Sequence, residues 1–256
     1  MSETTDIPKE PEAGDPIYLS TKTIPPEERL IFALDVPTAG EAKRRVEALG
    51  EAVELYKVGL ELFASGGGFE LIDWLAAQGK KVFADFKLYD IPETVRLAVR
   101  QLRQRPITFL TVHGDGAILE AAAQEKGDLK ILGVTVLTSL DAAGLEELGF
   151  TGSVEDLVLK RARRAQEAGC DGVIASGLEA KRIREQLGED LLIVTPGIRP
   201  FETRPADDQK RVVTVEQALR SGADYLVVGR PIRDAADPRQ AAMEIQGAIE
   251  GLFVSG

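Results

Sequence analysis

From Arg29 onward the chain alternates short β-branched or aromatic runs with longer amphipathic stretches, and it completes eight such rounds before the C-terminus. The runs Ile31–Val36, Leu55–Gly59, Lys81–Phe86, Thr108–His113, Lys130–Leu137, Gly172–Ala175, Leu191–Thr195 and Tyr225–Gly229 read as strands. Helical periodicity fills the intervals, as in Thr38–Leu49, Gly68–Gln78, Glu93–Gln104, Val154–Ala168 and Val215–Arg220, with Gly50, Gly79, Gly169 and Gly222 at helix exits. Strands without polar alternation, each followed by a helix, argue for a parallel sheet covered by helices on one side. Eight such units predict an α/β fold of the (β/α)8 TIM-barrel type. An open doubly wound sheet is the alternative, but LDVPTAGEA, after the first strand, lacks the glycine-rich fingerprint that such a sheet carries there.

The polar residues fall where a barrel would use them. Asp35, Lys57, Asp85 with Lys87, Thr138, the Thr195-Pro196-Gly197 turn and Gly229-Arg230 all sit at C-terminal ends of strand runs. In a closed barrel those ends share one rim, where barrel enzymes place their chemistry.

Composition narrows the partners. The 256 residues carry 31 Lys plus Arg against 42 Asp plus Glu, a formal charge of −11, with no basic stripe to track a phosphate backbone, so nucleic acid is not an expected partner. An acidic protein that binds an anion must gather its cations in one cleft. The single cysteine, Cys170, excludes an intrachain disulfide framework and fits a reducing cytoplasm. The single histidine, His113, excludes a two-histidine metal site and reads as structural. No run of eighteen apolar residues predicts a membrane span. The acidic, proline-rich start, MSETTDIPKEPEAGDP, does not read as a signal peptide, and residues 1–28 are expected to form a mobile extension before a single domain over 29–256. Gly66-Gly67-Gly68 lacks the Lys-Ser/Thr of a P-loop and reads as a turn opening a helix, while Lys160 to Arg164 reads as a solvated helix face.

The densest segment is DFKLYDIPET, residues 85–94. Residues two apart on a strand point the same way, so Asp85 and Lys87 face the barrel mouth together if the extended conformation persists. A buried lysine between carboxylates keeps its proton, because neighbouring negative charge offsets desolvation. On local grounds, Asp90-Ile91-Pro92-Glu93 also reads as a helix cap, with proline in the first turn and an acid at the capping-box position.

DFKLYDIPETV resembles the signature of the orotidine 5′-phosphate decarboxylase family, and ALDVP, YKVG, VLTS, VTPGIRP and VVGRPI follow the same family pattern, in order, from about Leu30 to Pro238. VHGDGA after the fourth strand departs from the small-residue turn more usual there. The resemblance implies decarboxylation of orotidine 5′-monophosphate to uridine 5′-monophosphate in pyrimidine synthesis, without metal or organic cofactor, by a homodimer with shared sites. It implies an alternating network of Lys57, Asp85, Lys87 and Asp90, with Asp90 supplied by the neighbouring subunit. By the same resemblance Asp35, Lys57 and Thr94 hold the ribose region, Thr138 or Ser139 meets the pyrimidine, and Arg199, Gln209, Gly229 and Arg230 contact phosphate. Asp85, Ile91 and Pro196 complete the implied substrate contacts.

The chemistry suits these residues. Loss of CO2 from C6 of a pyrimidine leaves an in-plane carbanion that the ring carbonyls cannot delocalise, so fixed charge must stabilise it. Lys87 is assigned that electrostatic role and the proton that follows. One unit charge at about 4 Å, in an effective dielectric near 20, is worth on the order of 4 kcal/mol, or roughly a thousandfold in rate. The remainder should come from gripping remote groups such as the phosphate. The long seventh loop, from Pro196 to Val212, reads as a lid over that phosphate. Two alternatives are a magnesium-dependent 3-keto-L-gulonate 6-phosphate decarboxylase, which carries an acid where this chain has Lys57, and a non-catalytic nucleotide-binding barrel.

Overall fold

The computed structural model describes residues 17–114, 116–199 and 212–253. Strands β1 (Leu30–Ala33), β2 (Leu55–Val58), β3 (Lys81–Leu88), β4 (Phe109–His113), β5 (Lys130–Val134), β6 (Gly172–Ile174), β7 (Leu192–Thr195) and β8 (Tyr225–Val228) form one closed barrel in sequential order. Every neighbouring pair is parallel, and β1 closes the ring against β8 through Leu30↔Leu226, Ile31↔Val227 and Phe32↔Val228. The helices, in chain order, are α1 (Ala39–Leu49), α2 (Leu60–Ala64), α3 (Gly68–Ala77), α4 (Pro92–Leu102), α5 (Gly116–Glu125), α6 (Ala142–Glu147), α7 (Val154–Glu167), α8 (Gly177–Leu187), α9 (Val215–Arg220), α10 (Arg230–Arg233) and α11 (Pro238–Phe253).

Side-chain parity divides the core in two. Ile31, Ala33, Leu55, Phe83, Phe109, Leu132, Leu192, Val194, Tyr225 and Val227 fill the barrel interior. Their neighbours in sequence, such as Leu30, Phe32, Tyr56, Val82, Leu110 and Val228, pack outward beneath the helices. Both faces of each strand are therefore dry, which is why the runs lack polar alternation. Inside, Phe109 meets Phe83 and Tyr225 edge-on at centroid separations of 6.1 and 5.1 Å. The four glycines expected at helix exits, Gly50, Gly79, Gly169 and Gly222, all have φ between 57° and 103°, a region that L side chains disfavour.

The barrel floor is held by two aspartates placed just before β6 and β8, Asp171 half-buried and Asp224 buried. Asp171 accepts from the Ile131 N–H at 2.8 Å, and Asp224 accepts from the Ile193 N–H at 2.8 Å. Asp224 also receives Arg184 Nη2 at 2.7 Å, the Ser20 hydroxyl at 2.5 Å and Lys22 Nζ at 3.4 Å. These bonds correct the expected mobile extension over residues 1–28. Residues 17–28 are packed: the Tyr18 N–H donates to Arg220 O at 2.8 Å, Ile24 lies against the barrel's inner cluster, and Pro26–Glu28 forms a 3₁₀ turn. A proline-rich composition gives no sign of such anchoring, because Asp224 lies some two hundred positions away. Residues 1–16 lie outside the described residues.

The side chains of both Asp224 and Arg184 are wholly buried, so removing one strands the other in a dry site. Asp224→Ala is expected to lower unfolding free energy in urea by roughly 3–5 kcal/mol, while leaving the opposite rim unchanged.

Candidate active site

The parity that fills the barrel also builds the site. One step beyond the last inward core residue of each strand, Ala33 gives way to Asp35, Leu55 to Lys57, Phe83 to Asp85, Phe109 to Thr111, Val194 to Pro196 and Val227 to Gly229. Most of these positions surround a cavity of about 540 Å³ at the C-terminal rim. Its wall includes Asp35, Lys57, Asp85, Lys87, Thr138, Ser139, Pro196, Gly197, Arg199, Gly229, Arg230 and Arg233. Five cationic side chains thus meet two carboxylates in a chain whose formal charge is −11, the concentration that anion binding requires.

Asp85 is the hub. Lys87 Nζ lies 2.8 Å from its Oδ1 and Lys57 Nζ lies 3.4 Å from its Oδ2, while Lys57 also donates to Asp35 Oδ1 at 3.0 Å. Burial pushes the Asp85 carboxyl upward, but the Lys57 and Lys87 ammoniums and the hydrogen bonds from Lys87 and Thr111 outweigh it and hold the group below the usual carboxylate range. Burial likewise works against the Lys57 ammonium, yet Asp85 and Asp35 raise it above the ordinary lysine value. The buried lysine flanked by two carboxylates is therefore Lys57, whereas Lys87 reaches Asp85 from the more open side.

The strand conformation expected through Lys87 does not persist. Register shifts between Ala84↔Leu110 and Leu88↔Val112, and Lys87 has φ 48°, the one positive value at a non-glycine among the described residues. Asp85 and Lys87 still meet, but through a bulge rather than through alternation. The fully buried Thr111, which sequence reading missed, spans this bulge: its hydroxyl donates to Asp85 Oδ1 and accepts the Lys87 N–H, both at 2.9 Å.

At the other end of the cavity Gly229 precedes α10, placing Arg230 at that helix's first position. Arg233 donates to the Asp35 carbonyl at 3.2 Å, tying α10 to the end of β1. The two feet of the long seventh loop are joined by Arg199 N–H to Val213 O at 2.9 Å and Val213 N–H to Gly197 O at 3.2 Å. Gln209, with the rest of the expected lid, lies outside the described residues.

Asp35, Lys57, Asp85, Lys87, Thr138, Ser139, Pro196, Arg199, Gly229 and Arg230 all line the cavity as expected. Asp90, Ile91 and Thr94 do not: they are exposed on the rim, outside their own chain's cavity. Asp90 is not the helix cap either, because Ile91 holds that position and Asp90 Oδ1 accepts the Ile91 N–H at 2.7 Å. The His113 ring lies 4.8 Å from that of Tyr89. Within the supposed solvated face, Arg161 is half-buried, donates to the Thr135 carbonyl at the end of β5 and stacks 5.3 Å from the Phe150 ring.

The model of the orotidine 5′-phosphate decarboxylase / HUMPS family matches residues 28–245. The chain is 60% identical over 241 residues to the orotidine 5′-phosphate decarboxylase of Methylococcus capsulatus, covering 94% of this chain and all of that one. It is 53% identical over 220 residues to the enzyme of the same name from Nitrobacter winogradskyi, covering 85% of this chain and 91% of the relative. The chain belongs to the orotidine 5′-phosphate decarboxylase / HUMPS family. Among solved structures, the orotidine 5′-phosphate decarboxylase of Lactobacillus acidophilus superposes with a TM-score of 0.77 at 35% identity, over 87% of this chain and 99% of that one.

In this family member the depressed Asp85 carboxyl has a consequence for acid stability. A group held low in the folded state contributes stability that is present above its unfolded value and is lost as pH falls through the folded value. The stability difference between the native chain and Asp85→Asn, measured by urea unfolding, is therefore expected to change little from pH 7 to about 5 and to shrink progressively below about 4.

Proposed function

We propose that this chain decarboxylates orotidine 5′-monophosphate to uridine 5′-monophosphate, using Lys87 as the cation beside the reacting carbon and as its proton donor. The observation that carries this reading is the Asp85 carboxylate held between the Lys57 and Lys87 ammoniums at one end of a cationic cavity. When the C6–carboxylate bond breaks, CO2 departs and the electron pair stays on C6. The Lys87 ammonium stabilises that charge and then transfers one proton to it. Asp85 orients the Lys87 ammonium at 2.8 Å, and its own negative charge faces the substrate carboxylate, an interaction relieved as neutral CO2 leaves. Arg230, Arg199 and the Gly229 turn are assigned the phosphate, whose binding energy holds the pyrimidine against the charged pair.

The magnesium-dependent sugar-phosphate decarboxylase is less well supported. That chemistry needs oxygen ligands for a hard cation, and here the second-strand position presents the Lys57 ammonium, 3.0 and 3.4 Å from the two carboxylates a metal would need. Turnover of orotidine 5′-monophosphate, followed by loss of absorbance, is expected to be unchanged by EDTA; loss of activity that magnesium restores would reinstate the alternative. A mere nucleotide binder gains little from burying such a network.

The reading includes a homodimer. Asp90, Ile91 and Thr94 stand on the rim beside exposed apolar side chains of neighbouring elements, Leu60 and Phe63 of α2, Tyr89, and Leu97 of α4. A second copy covering this face would bury that surface and bring Asp90 to the partner's cavity. The lone, buried Cys170 accords with residence in a reducing cytoplasm.

Lys87→Ala is expected to retain uridine 5′-monophosphate binding while losing at least about a thousandfold in kcat. Mixing subunits bearing Lys87→Ala with subunits bearing Asp90→Asn is expected to restore activity to on the order of a quarter of the native value, because random hybrids contain one intact shared site. Absence of recovery, with hybrids shown to form, would place Asp90 outside the partner's site.

A further inference from the structure

We propose that Thr111 is a positioning residue for the reaction: its hydroxyl sets which way the Asp85 carboxylate faces and holds the Lys87 backbone in the conformation that aims its ammonium into the cavity. This inference rests on Asp85 and Lys87 being the reacting pair proposed above.

Thr111 is wholly buried on β4 and is not part of the cavity wall, so it acts through other residues. A hydroxyl has one proton to give and two lone pairs to accept with. The ionised Asp85 can only accept, so the Thr111 proton goes to Oδ1 at 2.9 Å, leaving a lone pair for the Lys87 N–H at 2.9 Å. Both bonds are needed at this point of the chain. Regular pairing stops at Ala84↔Leu110 and resumes at Leu88↔Val112, and Thr111 supplies the Lys87 N–H with an acceptor within the bulge. A left-handed φ of 48° at a lysine is disfavoured, and persists only where surrounding contacts fix it.

The carboxylate has a similar need. The terminal torsion of an aspartate is broad, so the plane of the carboxylate turns freely unless contacts fix it. Thr111 does so: Oδ1 receives its hydroxyl together with Lys87 Nζ at 2.8 Å, which leaves Oδ2 toward Lys57 at 3.4 Å. One buried hydroxyl thus fixes the orientation of the carboxylate and the backbone of the proton donor.

Thr111→Val keeps the shape and removes both hydrogen bonds. It is expected to lower kcat for orotidine 5′-monophosphate by about ten- to a hundredfold, while KM and calorimetric affinity for uridine 5′-monophosphate stay within about threefold. The acid limb of kcat/KM is expected to move to higher pH, because the charged form of Asp85 loses a hydrogen bond. Thr111→Ser, which keeps the hydroxyl, is expected to recover most of the rate. Retention of kcat within about twofold in Thr111→Val, equal losses in the Val and Ser variants, or a loss confined to thermal stability would each overturn the proposal. Should Thr111→Val fail to fold, Thr111→Cys replaces it, since a thiol is a weak donor of similar size; native kcat in that variant would be equally fatal. Lys87→Ala run in parallel separates the two levels. Its full activity would refute the reacting pair itself, whereas its inactivity beside a fully active Thr111→Val would refute only the role of Thr111.

Discussion

A carboxylate shared by two ammonium ions is the interaction on which the top of this barrel depends. Burial works against the charged forms of both Asp85 and Lys57; the Lys57 and Lys87 ammoniums offset it for Asp85, and Asp85 with Asp35 offsets it for Lys57. The buried Asp85–Lys57 pair therefore depends on its mutual contacts. The barrel makes this arrangement possible because parallel pairing fixes the neighbouring strands: Lys57 is level with Ala33 and Phe83, and Asp35 and Asp85 follow two residues further toward the rim.

Much of this was legible in the sequence because strand parity is a local property. Once Ile31, Leu55, Phe83 and Val227 are recognised as apolar runs, the polar residues at their C-terminal ends must share a rim, and Asp35, Lys57, Asp85 and Gly229 do line one cavity. The same rule also offered Thr111, two residues beyond Phe109 on the inward face. It was missed because a threonine inside FLTVH looks like an ordinary β-former. Its significance appears only when β4 lies beside the bulge of β3.

What the sequence could not supply was contact between distant segments and departure from regular geometry. Ser20 and Lys22 meet Asp224 across the barrel floor, and nothing in their local composition separates them from the acidic extension before them. Arg161 sits in a basic helical run whose neighbours are exposed, yet it alone reaches the Thr135 carbonyl beside the loop that carries Thr138 and Ser139. The positive φ at Lys87 is likewise invisible to a reading that assumes strands stay extended. Asp90 was misplaced as a cap for a related reason: Asp-x-Pro-Glu matches a helix start one residue early, and the aspartate instead accepts the N–H of the next residue, Ile91.

The two ends of the barrel use the same residue type in opposite ways. At the floor, Asp171 and Asp224 accept from backbone N–H groups of the adjacent strand and from buried or half-buried cations, so they fasten strand to strand. At the rim, Asp85 accepts from two ammoniums and a hydroxyl but takes no backbone donor among the described residues, and its charge faces a cavity. The bulge lies beside that carboxylate: regular pairing is interrupted between Ala84 and Leu88, and Lys87 contacts Asp85 from within the interruption. Order at the floor is therefore what permits irregularity at the rim, because a ring closed by eight regular strand pairs loses little when one pair is interrupted at its very end.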